Sequence, residues 1–232
     1  VPIFQEYYKG GGTAGLLLEP YNGHFNSLAR TAMLGLALLT RWNVRVEILA
    51  AFLLNLAVLW IYLRMLRATD PRLLLLAPAF SASLFSLIRN DDFLSGFNLG
   101  LALAESASLL ALCGLSRPGR AWFVPSSLAA LAAAVSNSVG NAVWPAGFLL
   151  IVFRREDRGF RLAAWAVFAA AGLGAAFVAA PKDGFPRYVA EAGYFSLALI
   201  GGTASTGFGF TPESAAAAGG AILAVCVLVL QG

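Results

Sequence analysis

Two apolar runs, residues 73–88 and 99–115, constrain this chain more than any other feature. Neither carries the polar stripe of a surface helix, so neither can lie with one face in water. Between them stands Arg89-Asn90-Asp91-Asp92-Phe93-Leu94-Ser95-Gly96-Phe97-Asn98, with two adjacent carboxylates, an arginine and two amides. Residues 46–66 form a third run, long enough to cross about 30 Å of hydrocarbon. Of the 232 residues, 12% are charged and 59% hydrophobic, against about 25% charged in a soluble domain. The expectation is an all-α polytopic transmembrane bundle of about 7–8 membrane segments, one of them a short hairpin.

In chain order, residues 1–23 read as loop, because Gly10-Gly11-Gly12 and Glu19-Pro20-Tyr21-Asn22-Gly23 are turn chemistry. A helix is expected from His24 to Trp42, with Phe25, Leu28, Ala29, Ala32, Leu36 and Leu39 at helical spacing. Its fully apolar part, residues 32–39, is only about 12 Å long. Such a helix lies in the interface or re-enters rather than spans. Residues 1–43 are thus a non-cytoplasmic loop with an interfacial helix, and 44–232 a transmembrane domain, read as truncated at one or both ends. Pro78 is expected to kink the helix over residues 73–88. Further crossings are expected at 160–180, 188–202 and 215–230. Small residues recur every fourth position at Ala166, Ala170 and Gly174, then at Ala216, Gly220 and Ala224, the spacing that lets helices approach closely in lipid. The five tryptophans fall mostly near run ends, as interfacial anchors do. Cys113 and Cys226 sit in apolar runs, and no disulfide is expected.

Arginine placement gives the expected sidedness. The loops at 64–72, 117–120 and 154–161 hold nine of the sixteen basic residues, and positive loops stay cytoplasmic. Arg30, Arg41 and Arg45 run against that bias. By alternation, the N-terminal segment, residues 89–98 and residues 181–187 lie on the other side. Residues 122–153 then leave the cytoplasmic face and return to it, in arms of about 24 Å, short of the ~30 Å core. Their apex, Ser136-Asn137-Ser138-Val139-Gly140-Asn141, is expected to be recessed. Irregular backbone at that depth survives only when packed in protein or lining a wet cavity. The expected cavity has Ser136, Asn137, Ser138 and Asn141 as its floor, and Asp91, Asp92, Asn98, His24 and Glu6 or Glu19 as its rim.

Several polar groups carry chemistry in this reading. Asp91 and Asp92 suit an acid–base pair or a divalent cation site, or simply cap the next helix. His24 and Arg30 suit a phosphate, the arginine as a planar fork and the histidine as a tunable donor. Glu105 lies within an apolar run, where a carboxylate costs about 2.5–3.5 kcal/mol. It is expected to face protein, either as a proton relay or, the favoured reading, as a neutral acid hydrogen-bonded to Ser106, Ser108, Asn55 or a neighbouring backbone group. No zinc spacing, phosphate-binding loop or nucleophile elbow occurs, and the scattered basic residues are not a nucleic-acid footprint.

Glu19-Pro20-Tyr21-Asn22-Gly23-His24-Phe25, then Arg30, then Trp42-Asn43-Val44-Arg45-Val46-Glu47 resembles the outer-loop-to-helix passage of bacterial polytopic proteins related to C-type glycosyltransferases, the GT-C fold. Residues 86–98 and 134–147, with Asn141-Ala142-Val143-Trp144-Pro145-Ala146-Gly147, fit the same group. The resemblance implies a multi-pass protein of the bacterial inner membrane that takes a sugar from a polyprenyl-phosphate donor on the non-cytoplasmic face. It implies an essential acid in the first outer loop, where only Glu6 and Glu19 stand here. Asp91, Asp92 or Glu19 would then serve as base. His24, Arg30 and Arg89 would bind phosphate, and Asn98, Asn137 and Asn141 would bind the sugar. No cofactor is implied beyond the option of a divalent metal. Two rival classes fit the same residues: a transporter or flippase, which calls for broken helices in matching positions, and a non-catalytic membrane subunit.

Overall fold

The computed structural model describes residues 9–10, 13–18, 26–85, 98–153 and 157–179. The chain divides into two compact units, Val1–Ala179 and Ala180–Gly232, and the described residues belong to the first. They are helical, with no strand among them. Asp91, Asp92, Glu19, His24, Arg89, Cys226 and the runs expected at 188–202 and 215–230 lie outside the described residues.

Within the stretch expected to be loop, residues 13–18 form a short helix, α1 (Thr13–Leu18), which precedes α2 (Ser27–Thr40) and α3 (Val44–Thr69). The turn between α2 and α3 is tight: Arg41 and Trp42 both adopt left-handed φ, at 53° and 65°. The Trp42 amide donates to the Ala37 carbonyl at 2.8 Å, and the Asn43 side chain caps α3 by accepting from the Arg45 amide. With 26 residues, α3 is the one described helix long and apolar enough to cross a membrane. The core helix of a soluble protein is mostly buried, but only 22% of the apolar window of α3 is. Leu49, Phe52, Leu53, Leu56 and Trp60 stay exposed along it.

A 3-10 helix, Pro71–Leu76, follows and leads into α4 (Ala77–Leu84). The expected mid-helix kink at Pro78 is not found. Pro78 falls in the first turn of α4, where the amide it lacks has no helical partner to lose. The preceding turn is wound as 3-10 helix instead. The Phe85 ring returns to lie 5.5 Å from that of Phe52.

The remaining helices are α5 (Asn98–Leu115), α6 (Phe123–Ser136), α7 (Val143–Phe153) and α8 (Arg158–Ala179), with 3-10 turns at Arg120–Trp122 and Ser138–Ala142. Three levels of contact set the direction of α5. Ala51 clusters with Leu99 and Ala102, Val58 with Leu109, and the Met65 and Cys113 sulfurs are 3.2 Å apart. α3 and α5 therefore run parallel. α6 runs back along α5, because Gly114 faces Ser126 while Gly100 faces the Ser136 carbonyl. α7 and α8 are antiparallel: Trp165 seats on Gly147, and Trp144 on Gly172.

Two packing expectations change. Trp144 and Trp165 are not interfacial anchors but buried core residues, with ring centroids 5.0 Å apart. Glycines on the facing helices make the room for them. The row Ala166, Ala170 and Gly174 is exposed, and the packed face of α8 runs through Arg161, Trp165 and Gly172 instead.

Candidate functional site

The helix over residues 123–153 breaks where the sequence turns polar. Asn137 adopts an extended backbone, φ −161° and ψ 151°, and stops α6. Its side-chain oxygen accepts from the Val139 amide at 3.1 Å, which opens the 3-10 turn as an N-cap does. The Gly140 amide donates to the Asn137 carbonyl at 2.9 Å. Asn141 donates its amide nitrogen to the Ser138 carbonyl and accepts from the Trp144 indole, both at 3.2 Å. Trp165 in turn donates to the Trp144 carbonyl at 3.1 Å. Local 3-10 winding thus provides partners for backbone groups that a broken helix would leave without them.

Gly140 permits the close return of this turn onto α6. A Cβ there would overlap the Ala133 carbonyl. The Ser136 hydroxyl is turned inward to the Ala132 carbonyl at 2.6 Å, the i−4 bond that serine makes inside helices.

Three stretches meet at this end. A Cβ at Gly100, two residues into α5 from Asn98, would lie 3.0 Å from the Ala29 Cβ and 3.1 Å from the Ser136 carbonyl. Ala29 neighbours Arg30 on the first turns of α2, and Asn98 opens α5. Among the described residues expected at the site, the backbones carrying Arg30, Asn98 and Asn137 therefore converge, with Asn141 one turn further on. Arg30 is half-buried and holds a partner. Asn137 is also half-buried, and its side-chain nitrogen makes no hydrogen bond among the described residues. Both functional groups of Asn141 are engaged in holding the turn.

Ala51 clusters with Leu99, so residues 44–50 of α3 continue about 10 Å beyond the start of α5. Sequence reading overlooked two groups here. Asn26 is buried ahead of α2, and the neighbouring Ser27 hydroxyl is enclosed with no hydrogen-bond partner. The only signal for them was their place at the start of an amphipathic helix.

The opposite end is held by charge. Arg120 forms a two-pronged ion pair with Asp157, 2.9 Å on each arm. That guanidinium holds the Asp157 carboxyl below its usual range, and the carboxylate raises Arg120 in return. Arg161, almost fully buried, donates to the Gly119 carbonyl at 2.9 Å. The ends of the 122–153 segment are therefore tied to each other. Within α5, Glu105 is half-buried and within electrostatic reach of Tyr62, and Ser106 is not its expected hydrogen-bond partner, because the Ser106 hydroxyl is enclosed with none. Among the described residues, no three His, Cys, Asp or Glu side chains gather as a metal site.

The class these features define is an all-α bundle with one candidate membrane-spanning helix and a polar helix–3-10–helix turn at one end. No protein-family model, curated protein or solved structure matches the chain.

Proposed function

We propose a multi-pass protein of a bacterial inner membrane that transfers a sugar from a polyprenyl-phosphate donor on the non-cytoplasmic side. The observation that supports this reading best is the convergence of the polar turn with the start of α5 and the first turns of α2. Asp91, Asp92 or Glu19 takes the proton of the acceptor hydroxyl as that oxygen bonds to the anomeric carbon. The bond from that carbon to the phosphate oxygen breaks, its electrons leave with the phosphate, and His24, Arg30 and Arg89 stabilise the charge that develops. Asn98 and the free amide nitrogen of Asn137 hold sugar hydroxyls.

The test is transfer of a labelled sugar from polyprenyl phosphate in membranes carrying the wild-type chain or the double variant Asp91→Asn, Asp92→Asn. Loss of a base lowers the rate by roughly 10²–10⁴-fold. Transfer at the wild-type rate in the double variant removes the assignment of those two residues. A non-catalytic membrane subunit is the second reading. The use of both the nitrogen and the oxygen of the Asn141 amide within its own turn favours it, and it predicts no transfer by the wild-type chain.

A further inference from the structure

Three segments far apart in sequence deliver arginines to one end of the bundle. Met65 touches Cys113, which brings the end of α3 with Arg64 and Arg67, and Arg72 after it, to the same end of the bundle as Arg117. The Arg120–Asp157 pair then brings Arg158 and Arg161 to the same end. Among the described residues this end carries seven arginines against two aspartates, Asp70 and Asp157. At the opposite end the described arginines are Arg30, Arg41 and Arg45.

The charges are paired with exposed apolar surface. Arg64 lies over the Trp60 ring at 5.4 Å, Arg117 over Trp122 at 4.1 Å and Arg120 over Phe160 at 5.1 Å. All three rings are exposed, Trp60 at 60%. Leu74, Leu75 and Leu76 of the 3-10 helix are exposed immediately after Arg72. Arg120 spends its N–H edge on Asp157 and Arg161 is buried, so the exposed Arg64, Arg67, Arg72 and Arg158 are the guanidinium groups placed to meet phosphates. Nucleic acid or an acidic protein would pair with the charges but leave the rings and leucines in water. The boundary between headgroups and acyl chains accommodates both, with aromatic rings at headgroup depth.

We propose that this arginine–aromatic end binds anionic phospholipid headgroups of one leaflet in preference to zwitterionic ones. The inference rests on the bundle lying in a bilayer, as in the reading above, but not on any transferase activity. The test uses the full chain in nanodiscs of phosphatidylcholine with phosphatidylglycerol. Lipids that stay bound on release are counted by native mass spectrometry. The wild-type chain is expected to retain phosphatidylglycerol preferentially, and the preference is expected to fall with added salt. The triple variant Arg64→Ala, Arg67→Ala, Arg117→Ala is expected to lose about tenfold or more of that preference. Arg41→Ala with Arg45→Ala, at the opposite end, is expected to leave it unchanged. Equal retention of the two lipids by the wild type, or equal losses in both variants, overturns the inference. If the triple variant does not fold, single Arg67→Ala with the salt titration decides in the same way. A wild-type chain washed from vesicles by alkaline carbonate instead overturns the bilayer reading itself.

Discussion

At Gly140 a side chain has nowhere to go. Its Cβ would run into the Ala133 carbonyl, which is backbone and cannot swing aside. Gly140→Ala is therefore expected to destabilise the bundle by roughly 1–3 kcal/mol, the usual cost of overpacking. Gly159→Ala meets open space and should be neutral or gain up to about 1 kcal/mol in helix propensity. Denaturant titration in detergent micelles, followed by circular dichroism, compares the two. Arg41 offers the opposite case. It holds a left-handed backbone at φ 53°, which costs a non-glycine residue about 1–2 kcal/mol. Arg41→Gly is expected to shift the same titration toward higher denaturant, and a shift to lower denaturant would show that the Arg41 side chain contributes more than the strain costs.

Helix pairs decide which residues of an element matter. α7 and α8 interlock by placing a tryptophan of each over a glycine of the other, at Trp144 on Gly172 and Trp165 on Gly147. Each ring replaces the volume its opposite glycine lacks, so packing stays dense without strain. Trp165→Ala is expected to cost about 3–5 kcal/mol through the cavity it leaves. Trp165→Phe keeps most of the volume but removes the bond to the Trp144 carbonyl, and is expected to cost less. If the two variants unfold at the same point in the titration, the indole bond rather than the ring volume holds the pair. The same helices show how an apolar period can mislead. Ala166, Ala170 and Gly174 had the spacing for close approach, but the face that packs is the one with the large ring.

Among the described residues, the arginine loops and the polar turn fall at opposite ends of the bundle, and charge bias gives the expected membrane side of each. In the bilayer arrangement proposed above, cysteines placed at Ser138 and at Arg158 are expected to react with membrane-impermeant maleimide from opposite sides, Ser138 from the periplasm. Reaction of both from one side would contradict the arrangement. The Arg120–Asp157 pair joins the two ends of the segment that carries the turn. The folded chain lowers the Asp157 carboxyl below its ordinary value of 3.8. The stability it contributes is therefore fully present above about pH 4 and is lost as pH falls through the lower folded value. Asp157→Asn is expected to flatten the acid limb of stability against pH, measured as denaturant midpoint in micelles between neutral and acid pH. Both side chains are well exposed, so the effect is expected to shrink in high salt.

Local properties of the sequence were enough to locate some helices and not others, since the short helix Thr13–Leu18 was read as loop. Apolar runs place α3 and α5, and the polar cluster at residues 136–141 marks where the next helix breaks, because hydropathy and turn chemistry act between near neighbours. The candidate site was legible to the same extent, as a set of polar stretches. The sequence did not reveal that Asn141 uses both its nitrogen and its oxygen to hold its own turn, while the Asn137 nitrogen makes no hydrogen bond among the described residues. Nor did it reveal which tryptophans go inward. Those outcomes depend on contacts between residues distant in the chain, Trp144 with Gly172 and Gly100 with Ser136. No periodicity within one helix encodes them, since the volume a side chain can occupy is set by the helix it meets.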